Sequence, residues 1–167
     1  MAKEADQDRL FRAALSEGSE EAIGEWIASG PEAVRRLYVE LSGEDRVEVP
    51  DGLHPRDFLD NLNRSCHLLG AAYSNEFMET FESAKWSTNP FVISGLGGTP
   101  KPEATRRLIR LMANEDEWVR INAVVALRGH RHRGMRSVLL TALQDSNDLV
   151  RYHAGERLSE LEDGAAL

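Results

Sequence analysis

The sequence predicts an all-α protein, a right-handed α-solenoid of antiparallel helical hairpins with about ten helices, and three observations predict it. The chain repeats itself: Glu117 to Leu127 returns 31 residues later as Asp148 to Leu158. At the same offset Leu108 maps on Leu139, Ile109 on Leu140, Met112 on Leu143, Asn114 on Asp145, and Ile93 to Gly98 on Val124 to Gly129. Apolar residues recur at helical spacing along most of the chain, and glycine or proline stands where each stripe stops or starts. A fixed period in this range marks stacked helical hairpins, each too small to bury its apolar face alone.

The elements follow in order. Glu4 to Glu17 places Leu10, Phe11, Ala14 and Leu15 on one side, and Gly18 ends this helix, which reads as a cap for the stack. Ser19 opens a second helix with acidic residues in its first turn and a stripe of Ala22, Ile23, Trp26 and Ile27. Pro31, at a first-turn position, opens a third with Val34, Leu37, Tyr38 and Leu41. Because Gly30 and Pro31 force a tight turn, the second and third helices are expected to form an antiparallel hairpin. Gly43 to His54 has no sustained apolar period; it is the longest loop, a connector or a contact element. Pro55 starts a helix with Phe58, Leu59, Leu62, Cys66 and Leu69 on one face, and a further helix from Asn75 is expected to bury Phe77, Met78, Phe81 and Trp86.

Ser87 to Asn89 reads as an N-cap cluster ahead of Pro90, feeding Phe91, Val92, Ile93 and Leu96. From Pro102 a helix runs to about Ala113. The turn Asn114-Glu115-Asp116 leads to a second helix, Glu117 to Arg128, and the loop Gly129 to Arg133 leads to the equivalent pair, ending near Leu161. The chain thus divides into 1–86, N-terminal hairpins capping the array; 87–161, repeats of period 31; and 162–167, a frayed tail.

No apolar run approaches the roughly 20 residues that span a bilayer, and the polar start is unlike a signal peptide, so a cytoplasmic location is expected. The single cysteine, Cys66, suits a reducing compartment and reads as a small core residue. The net charge of −8 is uneven: residues 1–100 carry −9, residues 101–136 carry +5 and residues 137–167 carry −4. Such asymmetry points to a charged contact surface, or to a face charged for solubility.

The repeated residues have structural reasons. Ala123 and Ala154 let a paired helix approach, Val119 and Val150 face the seam, and Leu127 and Leu158 close the apolar layer. The turns Asn114-Glu115-Asp116 and Asp145-Ser146-Asn147, the pairs Val119-Arg120 and Val150-Arg151, these alanines and these leucines together resemble the HEAT-like repeat family, in its short bacterial, phycobilisome lyase-type form. The copy near residue 90 is degraded, since Thr88 and Asn89 replace the Val-Arg pair. The resemblance implies that Arg120, Asp145 and Arg151 belong to a structural ladder, with Arg120 reaching toward Asp145. It is nearly silent on function, which is carried by sites placed on such folds.

No catalytic motif is present. Gly95-Leu96-Gly97-Gly98 lacks the spacing of a dinucleotide fingerprint and follows a helix instead of a strand, so it reads as a helix C-terminus. The chain has no Gly-x-Ser-x-Gly elbow, no Cys-x-x-Cys and no phosphate loop with Gly-Lys-Ser/Thr. The loop from Arg128 to Arg136 holds four arginines and two histidines in nine residues, and Lys101 occupies the loop position one period earlier. Lys101, Arg128, His130, Arg131, His132, Arg133 and Arg136 therefore form a candidate interaction surface, an anion-binding rim or a solvated loop. Trp118, whose copy is Leu149, reads first as a packing residue and second, beside the basic rim, as a candidate anchor of that surface. His130-x-His132, with or without His153, has no cysteine or nearby carboxylate to complete a ligand set and sits among arginines that repel a cation, so no metal and no cofactor are expected. Some HEAT-like enzymes hold iron with His-Glu pairs, and this chain has no His-Glu dipeptide.

Three functions follow as expectations. The first is a non-enzymatic protein-protein interaction scaffold, in one version an inhibitor or immunity protein for a basic partner such as a nuclease. The second, by likeness to DNA-repair proteins of HEAT-like architecture, is nucleic-acid binding by the rim 128–136. The third, from fold resemblance alone, is a chromophore or cofactor lyase. No membrane partner is expected.

Overall fold

Helix ends fall where capping residues stand. In the computed structural model, which describes residues 2–43, 48, 49 and 51–165, ten α-helices follow one another. They are α1 Ala2–Glu17, α2 Glu20–Ala28, α3 Glu32–Ser42, α4 Pro55–Ala72, α5 Ser74–Thr80, α6 Pro90–Gly98, α7 Pro102–Leu111, α8 Glu117–Ala126, α9 Met135–Ala142 and α10 Asp148–Ala165, with a 3-10 turn at Ala84–Trp86. Among the described residues there is no strand. Ser19 Oγ accepts from the Ala22 amide ahead of α2, Asn89 Oδ1 from Phe91 and Val92 ahead of α6, and Asp116 Oδ1 from Trp118 ahead of α8. Each satisfies a first-turn N–H that the helix leaves orphaned. No described helix is long and apolar enough to cross a membrane.

The second helices of successive hairpins form a continuous row, α4 against α6, α6 against α8 and α8 against α10, while α7 and α9 lie beside their own partners. This translational order across 93–158 is what a stacked array requires. At the N-terminal end the expected α2–α3 hairpin does not form. The two helices make little contact and both lie against α1, because the Trp26 face of α2 finds its partner in Phe11, with ring centroids 4.9 Å apart.

Two apolar cores meet at α6. The first gathers α1 to α5 and reaches Val92; its aromatic chain runs from Phe77 to Phe81 at 4.8 Å and on to Trp86 at 5.4 Å. The second begins at Ile93 and runs to Leu158. Trp86 belongs to the first core but sits on the 3-10 turn, past the end of α5. Leu59, read onto the apolar face of α4, is instead exposed. The α10 helix continues to Ala165, beyond Leu161. Of the long loop Gly43 to His54, residues 44–47 and 50 lie outside the described residues.

α6 can serve both cores because it carries no charged side chain and has glycine on the side facing α4. A Cβ on Gly98 would sit 1.9 Å from the carbonyl oxygen of His67, and one on Gly70 would sit 1.9 Å from that of Gly95. The run Gly95 to Gly98 is therefore the last turn of a helix pressed against its neighbour's backbone. Buried Thr99 closes the same junction, its hydroxyl within 3.1 Å of the Gly70 carbonyl and 2.9 Å of the Gly95 carbonyl. Cys66 is fully buried in the first core, where desolvation pushes its thiol well above the usual range and keeps it protonated.

Candidate interaction surface

Each repeat turn is built twice over by asparagine and aspartate. Asn114 Oδ1 accepts from the Asp116 amide and Asp145 Oδ1 from the Asn147 amide, after which Asp116 and Asn147 cap α8 and α10. The arginine one turn into each helix folds back over this turn. Arg120 Nη1 donates to the carbonyls of Asn114 and Glu115 at 2.9 and 3.0 Å, and Arg151 Nη1 to those of Asp145 and Ser146 at 2.7 and 3.1 Å. Arg120 then reaches the next repeat: its Nε and Nη2 donate to the two oxygens of Asp145 at 2.8 and 2.9 Å. That fork, foremost its hydrogen bonds, holds the Asp145 carboxyl below its ordinary value. Arg151, with no described repeat beyond it, turns its remaining edge to Asp148.

The arginine-rich loop is split by burial. His130, read as part of the exposed rim, is buried. Its Nε2 lies 2.9 Å from the Gly97 carbonyl and its Nδ1 lies 2.8 Å from Thr105 Oγ1. The carbonyl can only accept, so Nε2 carries the proton and Nδ1 accepts from threonine. Burial holds the imidazole below its ordinary pKa, against the pull of the Gly97 carbonyl, so it is neutral near pH 7. From α10, buried Arg157 donates to the His130 carbonyl at 2.8 Å. His130 is thus a seam residue between repeats, and it pins the loop rather than presenting itself.

The rest of the loop faces outward. Arg128 pairs with Glu160 at 2.7 Å and Arg136 with Glu162 at 3.2 Å. Arg131, His132 and Arg133 are exposed, and their side chains have no ion pair or hydrogen bond to other described residues. Lys101 is half-buried and held by Asn75 Oδ1. It shares with Arg131 a cleft of about 430 Å³ between the turns 99–102 and 128–131. Among the described residues no three His, Cys, Asp or Glu side chains gather as a metal site. His130 already spends both ring nitrogens on the seam, and His153 Nδ1 lies 3.0 Å from Glu156.

A second cleft, of about 640 Å³, opens along the helix row, lined by Asn63, Arg64, His67 and Leu68 of α4, Ser94 of α6, and Asn122 and Val125 of α8. It lies beside the first, and His67, Arg128 and Gly129 line both. Trp118, Asn122 and Val125 follow i, i+4, i+7 spacing and so share one face of α8. Packing, the role read first for Trp118, is overturned: the ring is 62% exposed, as its copy Leu149 is 46% exposed. The α4 residues were missed by sequence reasoning, because α4 lies outside the recognised period and no offset assigned its outward face.

Comparison with known families finds one match, to the model of HEAT repeats, over residues 75–159. The match opens within α5 and closes within α10. No curated protein matches the chain, and no solved structure does. With just over half its length matched, with second helices stacked in one row and with Arg120 bridging consecutive turns, the chain belongs to the HEAT repeat family.

Proposed function

We propose that this protein is a non-enzymatic interaction scaffold that docks another protein on the row α4–α6–α8–α10, with Trp118 as an anchor. The observation that carries the reading is the exposure of Trp118. The fold buries its two other tryptophans, Trp26 and Trp86, yet leaves this one open on the face of α8 that it shares by spacing with Asn122 and Val125, which line the second cleft. Exposed tryptophan next to shaped apolar surface is enriched among residues that dominate binding energy. A photo-crosslinking residue placed at Asn122 tests it, with Arg106 as a control position. Adducts formed with a protein at 122 and absent at 106, and lost in Trp118→Ala, support docking on the row. Equal labelling at both positions removes it.

The inhibitor or immunity version draws on another feature, the net −9 of residues 1–100, which suits a basic partner. If that version operates, crosslinks concentrate on the exposed faces of α1 to α3 instead. Nucleic-acid binding has narrower support, since His130 is buried and Arg128 and Arg136 are paired, leaving Arg131 and Arg133 on the rim. The lyase version keeps only the fold resemblance in its favour. A cytoplasmic setting for the scaffold agrees with one buried, protonated cysteine.

A further inference from the structure

The two adjacent clefts have a composition that the chain as a whole does not. The protein carries 28 acidic residues against 20 basic ones, yet among the described residues no Asp or Glu lines either cleft. Lys101, Arg131, Arg128 and Arg64 line them, with His67 between. Arg131 has no partner among the described residues, and Lys101 is held by a neutral amide oxygen. Arg128 pairs at 2.7 Å with half-buried Glu160, which also takes Arg157, and Arg64 pairs at 3.2 Å with exposed Glu20 and donates to the Gly18 carbonyl, so the Arg64–Glu20 pair is the one that exchanges more readily. The turn that presents Arg128 and Arg131 is fixed from behind by His130 and Arg157, so ordering it costs a ligand little. Leu68 and Val125 add exposed apolar surface to the broader cleft.

We propose that this groove binds an acidic segment of a partner protein, its carboxylates at the Lys101–Arg131 end and an apolar side chain over Leu68 and Val125. The inference rests on the scaffold reading and specifies the partner's chemistry. It places on the row a partner of opposite sign to the one that the acidic flanks suit. Charge complementarity selects an anion, since the Arg131 guanidinium has no partner among the described residues and the Lys101 ammonium, although Glu103 lies near it, is hydrogen-bonded to a neutral amide. The apolar edge selects a peptide over a nucleic acid. The rings that line the clefts are the imidazoles of His67 and buried His130, with no Phe, Tyr or Trp among the described lining residues to serve as a stacking platform, and a long polyanion would run into flanks of net −9 and −4.

The test is selection of peptides from a displayed random library on the folded wild-type chain. Two variants with the same change in charge are run beside it, Lys101→Glu with Arg131→Glu in the groove and Arg106→Glu with Arg110→Glu on the α5–α7 side. Matching circular dichroism and melting temperatures establish that both fold; should the groove double variant fail to fold, Arg131→Ala alone replaces it. The expected result is enrichment of sequences combining Asp or Glu with Leu, Ile or Phe. A synthetic peptide of that sequence binds the groove variant at least about tenfold more weakly and the control variant within about twofold. Enrichment of basic or purely apolar sequences that shield Trp118 from acrylamide overturns the acidic partner while leaving the scaffold standing. Binding of a thymidine oligonucleotide with no peptide enriched overturns both, and so does the absence of any enrichment. Acidic binders indifferent to the groove variant overturn the assignment to this groove.

Discussion

Arg120 of one repeat and Asp145 of the next form a two-pronged ion pair at 2.8 and 2.9 Å, each side chain only 12% exposed. The same guanidinium closes the turn of its own repeat through two carbonyls. One side chain therefore sets both the shape of a turn and the spacing between repeats.

Removing it should be costly. Arg120→Ala leaves Asp145 without its cation and two carbonyls without a donor, an expected loss of about 2–4 kcal/mol in urea unfolding. Arg120→Lys should recover little of it, because an ammonium cannot span both oxygens. Arg151→Ala also leaves two turn carbonyls without a donor but breaks only a pair whose Asp148 carboxylate is 88% exposed, and should cost about 1–2 kcal/mol, less than Arg120→Ala. Equal losses at 120 and 151 would show that the link between repeats contributes nothing.

The pair also sets an acid limit. The folded Asp145 carboxyl is held below 3.8 by its hydrogen bonds to Arg120. Its contribution is therefore complete above the unfolded value and is lost as pH falls through the lower folded one. Melting temperatures from pH 6 to 2.5 should show wild type and Asp145→Asn converging below about pH 4. A constant gap across that range would contradict the linkage.

His130 acts in the same direction, in a higher pH window. Burial lowers its folded pKa below 6.5, so the unfolded chain takes up the proton first. Stability is then complete above about pH 6.5 and declines as pH falls toward the folded value. The charges bearing on the ring from neighbouring elements are those of His67 on α4 and Arg157 on α10, and both push in that direction. Imidazole resonances followed by NMR should place the His130 midpoint below 6.5, and His130→Asn should flatten the decline. A midpoint above 6.5 would mean that the ring is not held neutral in the seam.

Two glycines predict opposite signs. Gly98→Ala drives a methyl into the His67 carbonyl across the α4–α6 junction and should cost about 3 kcal/mol. Gly24→Ala, exposed in α2 with open space around its Cβ, should gain about 0.5–1 kcal/mol from helix propensity. Thermal unfolding of the two variants separates close packing from propensity directly.

Trp118→Ala should change stability by less than about 0.5 kcal/mol, as an exposed side chain does. It should also remove most of the fluorescence that acrylamide quenches, because Trp26 and Trp86 are buried. Strong quenching retained in the variant would mean that the N-terminal core admits the quencher.

The ladder was legible through the family resemblance: the recurring Val-Arg pairs at 119–120 and 150–151 and the polar turns before them carry that resemblance, and it implies that Arg120 reaches Asp145. The fate of His130 was not legible. Residues around it, Arg128, Arg131 and Arg133, mark a solvated loop, and nothing local says that one ring turns inward to meet Thr105 and Gly97 from two other elements. The α2–α3 hairpin failed for a related reason. Gly30 and Pro31 specify a turn, but the apolar stripe of α2 was satisfied by Phe11 on the helix before it.

The sequence by itself determined that this chain is a row of short helices with a 31-residue period, because caps, glycine stops and helical spacing act within a few residues of one another. Only the tertiary structure decided which faces stay open: that Trp118 is bare, that His130 is sealed, and that Arg64 and His67 of α4 share a groove with Lys101 and Arg131. Exposure is a property of the neighbour that does or does not cover a side chain, and those neighbours lie 25 to 33 residues away in the chain for His130. No local pattern encodes that distance.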